Sequence, residues 1–542
     1  MNKFFKKTSN FIFAKQTSIF SSALIISSMI VLTSISGFLR YRILATYFSK
    51  EQLDLFFASF KIPDLIFEIL ITGALTTSFI PIYLNYKNNK EELKINISSI
   101  INIIFLVLTI FIFIINLFLK PIITFITPGF SQEKIQTVIL FSRILLIGQL
   151  PFFIIGSILT GIGQANKIFF LSGLAPVLYN LSIISFTLFL HNRLNLLAPI
   201  FGVVFGSFIM FLIQAPVIKY TDFKYQLIIK KTKAVIDFFK IIIPRTLTVI
   251  TAQIDATIDL ILASLLKPGS YTIFYFAQHL QLLPVSVIGI ALGQASLPYL
   301  TEVYKEKKIN EFKNIIAQSI LNIFFIILPV AVFFIFARTP LIRVFFGGQK
   351  FDWQATNDTA ITLSFFALGL PFHSVYYLLT RSFYAMIDSK TPFLISSIAI
   401  FFNIILSLLF VFYFHLPVYF LAVSFSFSIF LNSFLLFLIL NKKLNGFDIK
   451  NIFYSVLKIL LSSFISGIIS YFLMRFLDGL IFNTAFSINV FFLLLTTFFI
   501  FIASYIFFCW IIEVKEIYLI AKILLKVKEY QKKFLELYNQ YE

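Results

Sequence analysis

Charge is what this chain has least of. Lys, Arg, Asp and Glu together make up 13% of its 542 residues, where a soluble domain carries about 25%. With 59% hydrophobic residues and a mean hydropathy of +0.94, this deficit excludes an ordinary soluble domain. Many apolar runs of about 20 residues predict an all-α polytopic membrane protein instead. The apolar/polar alternation of a membrane barrel is missing, and open sheets cannot cross hydrocarbon. Cys509 is the only cysteine, which excludes a disulfide framework and a thiolate metal site; no cofactor is expected. The first apolar run, 19–39, is not followed by a small-residue cleavage site. It therefore reads as an uncleaved first helix, although Lys3, Lys6, Lys7 and Lys15 precede it.

What is present is apolar sequence punctuated by lysine. The hydropathy predicts about 14 transmembrane helices, among them 54–84 and 235–264. The formal net charge of +20 does not imply nucleic acid, because the lysines lie in connections between spans, where they set orientation. Every second connection is lysine-rich, as with Lys87, Lys90 and Lys94, then Lys305, Lys307, Lys308 and Lys313. The bias predicts an even number of spans with both termini in the cytoplasm. The chain also repeats itself. Ala74-Leu75 and Ile80-Pro81 match Ala291-Leu292 and Leu297-Pro298, Leu150-Pro151-Phe152 matches Leu370-Pro371-Phe372, and Asn180 matches Asn403. Matching helices are an even number of spans apart, so the halves share one orientation, a parallel repeat. The expected organisation is an N-terminal lobe of six spans (1–220), a second lobe of six (221–440), two extra helices (441–513) and a tail (514–542). In the tail, Ile520, Ile523, Val527, Tyr530, Phe534, Leu537 and Tyr541 form an apolar stripe beside lysines. That pattern is an amphipathic basic helix for a membrane surface, or a solvated tail.

Ionisable groups at membrane depth cost about 2.5–3.5 kcal/mol at a helix centre and are tolerated where they face a water-filled cavity or one another. They concentrate in 34–81, which predicts a polar cavity lined by that stretch. Arg40 is a candidate ligand for an anionic substrate or an interfacial anchor, and Arg42 faces elsewhere on the helix. Asp54 is placed to pair with Arg40 or to cap a helix N-terminus. Lys61 either faces the cavity or pairs with Asp64 at i+3. In the second half, Arg245 opens span seven, and Asp255 and Asp259 at i and i+4 put two carboxylates on one face. They suit ion coupling or a salt bridge to Arg245. Gln278 and His279 add polar candidates in span eight, whereas His373 and His415 read as structural. Gly37, Gly73, Gly289 and Gly293 allow close helix contact or bending, with Pro284 a kink or hinge. No metal site is expected.

Several motifs carry a resemblance. They are Gly37-Phe38-Leu39-Arg40, Asp54 followed by Phe56-Phe57-Ala58-Ser59-Phe60-Lys61-Ile62-Pro63, Gly73-Ala74-Leu75 with Ser78-Phe79-Ile80-Pro81, Thr127-Pro128-Gly129-Phe130, Ala175-Pro176 with Asn180, Gly289-Ile290-Ala291-Leu292-Gly293 with Leu297-Pro298, and Phe383-Tyr384 through Asp388-Ser389-Lys390-Thr391-Pro392. In this order they resemble the MurJ (MviN) lipid II flippase family of the MOP superfamily. The resemblance implies two six-helix lobes with two added helices, alternating access around a central cationic cavity, and a non-enzymatic transporter. The implied partners are lipid II or a similar polyprenyl-diphosphate glycolipid, membrane lipids and the cell-wall synthesis machinery. Coupling to membrane potential or an ion is left open. A diphosphate suits guanidinium partners, which bind it bidentately. The chain departs from the family pattern where arginines are expected: Ser34, Phe67 and His279 stand at those positions, and Tyr41 and Thr72 stand at acidic ones. The alternatives are a flippase for another polyprenyl-diphosphate glycan and a cation-coupled multidrug exporter of the same superfamily. A glycosyltransferase is disfavoured, since the external connection 338–356 has Asp352 but no carboxylate pair spaced for catalysis.

Overall fold

The computed structural model describes residues 19–68, 79–221, 223–481 and 486–518. Gly73 and Thr72, the basic N-terminal residues 1–18 and the amphipathic stripe after Tyr518 lie outside them. Among the described residues there is no strand. The chain forms two compact units, the first comprising Met1–Thr272 with Phe345–Ala355, the second Ile273–Val344 with Thr356–Glu542.

The long helices of the first unit are α1 (Ile19–Tyr47), α2 (Lys50–Phe67), α3 (Lys90–Leu117), α4 (Gln132–Gly148), α5 (Leu150–Ala165), α6 (Phe170–Leu194), α7 (Leu197–Gln214) and α8 (Lys233–Ser264). Here α6 packs against α7 and α1, and α2 packs against α4. The second unit contains most of α9 (Ser270–Pro284), then α10 (Ala291–Lys305), α11 (Ile309–Phe336), α12 (Trp353–Ala385), α13 (Lys390–Leu408), α14 (Tyr419–Lys443), α15 (Ile449–Leu480) and α16 (Ser487–Ile511). There α13 packs on α14, and α15 on both α11 and α16.

Twelve of the described helical segments are long and apolar enough to cross a membrane. Two of the fourteen expected spans, 54–84 and 235–264, are not among them. Both coincide with helices, α2 and α8, but these carry the ionisable groups: Lys50, Glu51, Asp54, Lys61 and Asp64 on one, Lys233, Asp237, Lys240, Arg245, Asp255 and Asp259 on the other. Residues 69–78 of the first, and most side chains of 241–256 in the second, lie outside the described ones.

Apolar exposure is plain on α15 and α16, where Phe453, Phe472, Phe476 and Phe499 lie more than half exposed. Two of the serines on α15 need no water, because Ser462 and Ser463 donate to the carbonyls of Lys458 and Ile459 four residues back. Cys509 is buried with Phe325, Leu328, Ile459, Tyr505 and Val514, and Tyr505 donates to the Phe325 carbonyl at 2.8 Å.

The backbone itself records the repeat. Lys167 and Ile387 both take the left-handed conformation (φ 63° and 61°), as do Asn195 and His415 (φ 49° and 51°). Each pair is separated by the same 220 positions, within the offset of the sequence matches. A side chain at positive φ is uncommon, so two such coincidences at one offset mark equivalent turns in the two halves. A second irregularity lies where hinges were expected. Between α9 and α10 the helix runs as a π-helix over Val285–Ile290, between Pro284 and Ala291. Gly289 and Gly293 press against α12: a Cβ on Gly289 would lie 2.7 Å from Ser374 Cα, and one on Gly293 would lie 3.0 Å from the Tyr377 carbonyl. Close contact explains both glycines, and the π-helix supplies the irregular geometry.

Candidate functional site

The first unit gathers a polar cluster around α1, α2, α5 and α6. Arg40 Nη1 donates to Asn180 Oδ1 at 3.0 Å, and its guanidinium lies 4.5 Å from the centre of the Tyr41 ring. Asn180 is itself fixed from α1, donating to Ser36 Oγ at 3.0 Å and the Thr33 carbonyl at 3.3 Å. A Cβ on Gly37 would lie 3.6 Å from Asn180 Nδ2, an ordinary contact, so this seam does not require glycine. The amide orients a cation that stays half-exposed.

Next to Asn180, Tyr179 extends the cluster. Gln149 Nε2 donates to its hydroxyl at 3.4 Å. Its ring lies 5.1 Å from Phe153, which lies 5.3 Å from Phe67 of α2. The ring chain brings the end of α2 against α5 and α6, and Phe67 is therefore an aromatic packing residue. Lys61, Asp64 and Glu68 fall at i, i+3 and i+7 on one face of α2 and its extension. Lys61 is within electrostatic range of Asp64 and Glu68, and Asp64 of Arg40 and Tyr179 as well. Asp64 is exposed in the last turn of α2. Arg40 and Lys61 thus share Asp64 as an electrostatic neighbour, and Glu68 adds a second carboxylate. Among these four described groups, two are basic (Arg40, Lys61) and two acidic (Asp64, Glu68).

Asp54 lies elsewhere, ten residues or about 15 Å along α2 from Asp64. It is buried, and both its oxygens are engaged. Oδ2 accepts from Gly269 N at 2.6 Å, and Oδ1 from Thr272 N and Thr272 Oγ1 at 2.8 Å each. It caps the N-terminus of α9, not of its own helix, where Ser49 and Gln52 form a capping box. Nearby, Lys50 Nζ pairs with Asp352 at 3.0 Å, and Asp352 accepts from Ala355 N at 2.6 Å. Around this end backbones nearly touch: a Cβ on Gly129 would lie 2.0 Å from the Ser264 carbonyl, and one on Gly348 would lie 2.3 Å from Ala45. The geometry gives Asp54 a positioning role.

The other expected residues are placed as follows. Arg42 is half-buried on α1, and Asp259 is buried on α8; the side chains of Arg245 and Asp255 lie outside the described ones. In the second unit Gln278 and His279 are half-buried. His279 Nδ1 lies 2.9 Å from the Tyr275 carbonyl and its ring 3.9 Å from the Tyr275 ring. Gln281 Nε2 lies 3.1 Å from His373 Nδ1 in a buried pair. Sequence reasoning missed Gln149 altogether and took Asn180 only as a repeat marker and as part of a family motif. Gln149 directly precedes the repeated Leu-Pro-Phe, which was the available signal.

A family model described as "Lipid II flippase MurJ" matches residues 44–509. The chain belongs to the lipid II flippase MurJ family. Among MurJ relatives, a probable lipid II flippase from Buchnera aphidicola subsp. Schizaphis graminum is 28% identical over 484 residues, covering 86% of this chain and 92% of that one. One from Borreliella burgdorferi is 27% identical over 466 residues, covering 83% and 90%. The fold agrees: a MurJ structure in an inward closed conformation superposes with a TM-score of 0.73 at 24% identity, covering 90% of this chain and 98% of that chain. An inward-facing multidrug resistance MATE transporter of the MOP superfamily gives 0.66 at 14% identity, covering 78% and 98%.

Proposed function

We propose that this chain is a lipid II flippase. It carries lipid II from the inner to the outer leaflet of a bacterial plasma membrane for cell-wall synthesis. The observation that supports this most is the MurJ family match over 44–509, together with an Arg40 held ready by Asn180. Guanidinium and ammonium groups at membrane depth suit a diphosphate, and no bond needs to be made or broken. Transport requires only two differently open states whose populations the substrate or an ion shifts. The π-helix at Val285–Ile290 is an element able to absorb such a change. On this reading both termini are cytoplasmic, α15 and α16 meet the isoprenoid chain, Asp255 and Asp259 serve ion coupling, and the synthetic machinery of the cell wall is the neighbour. The match lies in the lipid II branch, so another polyprenyl-linked glycan or a drug is not favoured.

The test is complementation in a bacterium depleted of its own lipid II flippase, with lipid II exposure on the outer face as readout. Wild type restores exposure; Arg40→Ala lowers it at least tenfold at equal membrane abundance, and Lys61→Ala lowers it less. A correctly inserted wild type that fails to expose lipid II refutes the reading.

A further inference from the structure

The cluster in the first unit is built for more than an anion. A ligand that was only a diphosphate would meet Asp64 and Glu68 as well as Arg40 and Lys61, with repulsion offsetting attraction. A second observation points the same way. Gln149 is 2% exposed, and while its Nε2 donates to Tyr179, its Oε1 has no hydrogen-bond partner. A buried amide oxygen left open is costly unless a donor comes to it. Asp64 is exposed within range of Arg40 and Tyr179. The cluster therefore offers two cations and, alongside them, two acceptors that ask for N–H groups: a carboxylate and an amide oxygen.

We propose that this site reads a head group carrying an ammonium beside its diphosphate, with Arg40 and Lys61 taking the anion and Asp64 and Gln149 Oε1 taking the ammonium N–H donors. The assignment rests on the lipid II reading and deepens it: the substrate class is the amine-bearing form of the lipid-linked glycopeptide. Asp64 gives charge recognition, since a carboxylate near a partly desolvated ammonium forms a charge-assisted hydrogen bond. Gln149 supplies a neutral acceptor that an acetylated amine cannot use as fully.

The experiment uses the full chain in lipid nanodiscs and two probes: lipid II with a free amine on its stem peptide, and the same lipid II with that amine acetylated. Wild type is expected to bind the free-amine probe about tenfold more tightly. Asp64→Asn, which keeps the shape, brings the two affinities within twofold while still binding the acetylated probe. Gln149→Leu reduces the preference in part, and Arg40→Ala weakens both probes alike. Equal binding of the two probes by wild type overturns the proposal without any variant. So does a preference that survives in Asp64→Asn, since the amine is then read elsewhere. If neither probe binds wild type, the lipid II reading falls and this assignment with it.

Discussion

Replacing Asp54 by Asn tests the cap at the start of α9. The change preserves shape, so the cost comes from hydrogen bonds. With Oδ1 retained, the new amide nitrogen faces Gly269 N, which donated to Oδ2 at 2.6 Å. Two donors then oppose each other in a buried place, and leaving a buried donor unsatisfied costs about 1–3 kcal/mol. The two bonds from Thr272 remain but lose their charge, worth about 1 kcal/mol each. Relief of the carboxylate's own desolvation offsets part of this, leaving about 2–4 kcal/mol of destabilisation. The readout is the midpoint of thermal unfolding in detergent at fixed protein concentration. Thr272→Val gives a second arm. It removes the hydroxyl, whose one proton serves either Asp54 Oδ1 or the Lys50 carbonyl, and keeps the backbone donor, costing about 1 kcal/mol. Because both changes strike one network, the double variant should lose less than the sum of the singles. An Asp54→Asn chain that melts with wild type, or strict additivity, refutes the account.

Two further outcomes follow from contacts in the second unit. Asp388 sits in the turn before α13. Partial burial raises its pKa, but bonds from Lys443 and Thr391 outweigh this and lower it from 3.8 to about 2. A depressed carboxylate contributes stability that is present in full above pH 3.8 and fades as pH falls towards 2. Wild type should therefore lose stability across that window more steeply than Lys443→Met; parallel curves contradict it. Gly289→Ala forces a Cβ to 2.7 Å from Ser374 Cα, whereas Gly293→Ala meets Tyr377 at 3.0 Å. Thermal stability should fall in that order, and equal losses refute the contact argument.

Much of this was legible in the sequence because membrane helices announce themselves by composition. The scarcity of charge gave the class, and the ionisable residues left inside apolar runs gave Arg40 and Lys61. What was not legible depends on contacts between distant positions. Asn180 lies 140 residues from the Arg40 it orients, and a neutral amide such as Gln149 carries no periodic signal. Asp54 shows the limit of local reasoning. Its position near a helix start suggested a cap for that helix, but Ser49 and Gln52 already fill that role. The carboxylate was left for donors more than 200 residues away. Lys61 was read as facing the cavity or pairing with Asp64; packing added Arg40 and Tyr179 to the surroundings of Asp64.

The repeat shows which features the two halves had to keep. At 220 positions apart, the turns of Lys167 and Ile387 share a left-handed backbone but not a side chain. Isoleucine is a poor occupant there, since a left-handed conformation costs an L-residue roughly 1–2 kcal/mol and a β-branched one more. The side chain is 89% exposed, so its removal forfeits little burial within the chain. Asn tolerates the conformation, and unlike Gly it adds little freedom to the unfolded chain. Ile387→Asn should therefore raise stability by about 0.5–1 kcal/mol. The same change at exposed Ile398, in the helical interior of α13, should not. The measurement is the unfolding midpoint of the three chains in one detergent. A loss in Ile387→Asn would mean that the exposed side chain is held by lipid or detergent more strongly than the backbone is strained. That result refutes the view that turn geometry alone has been kept at this position.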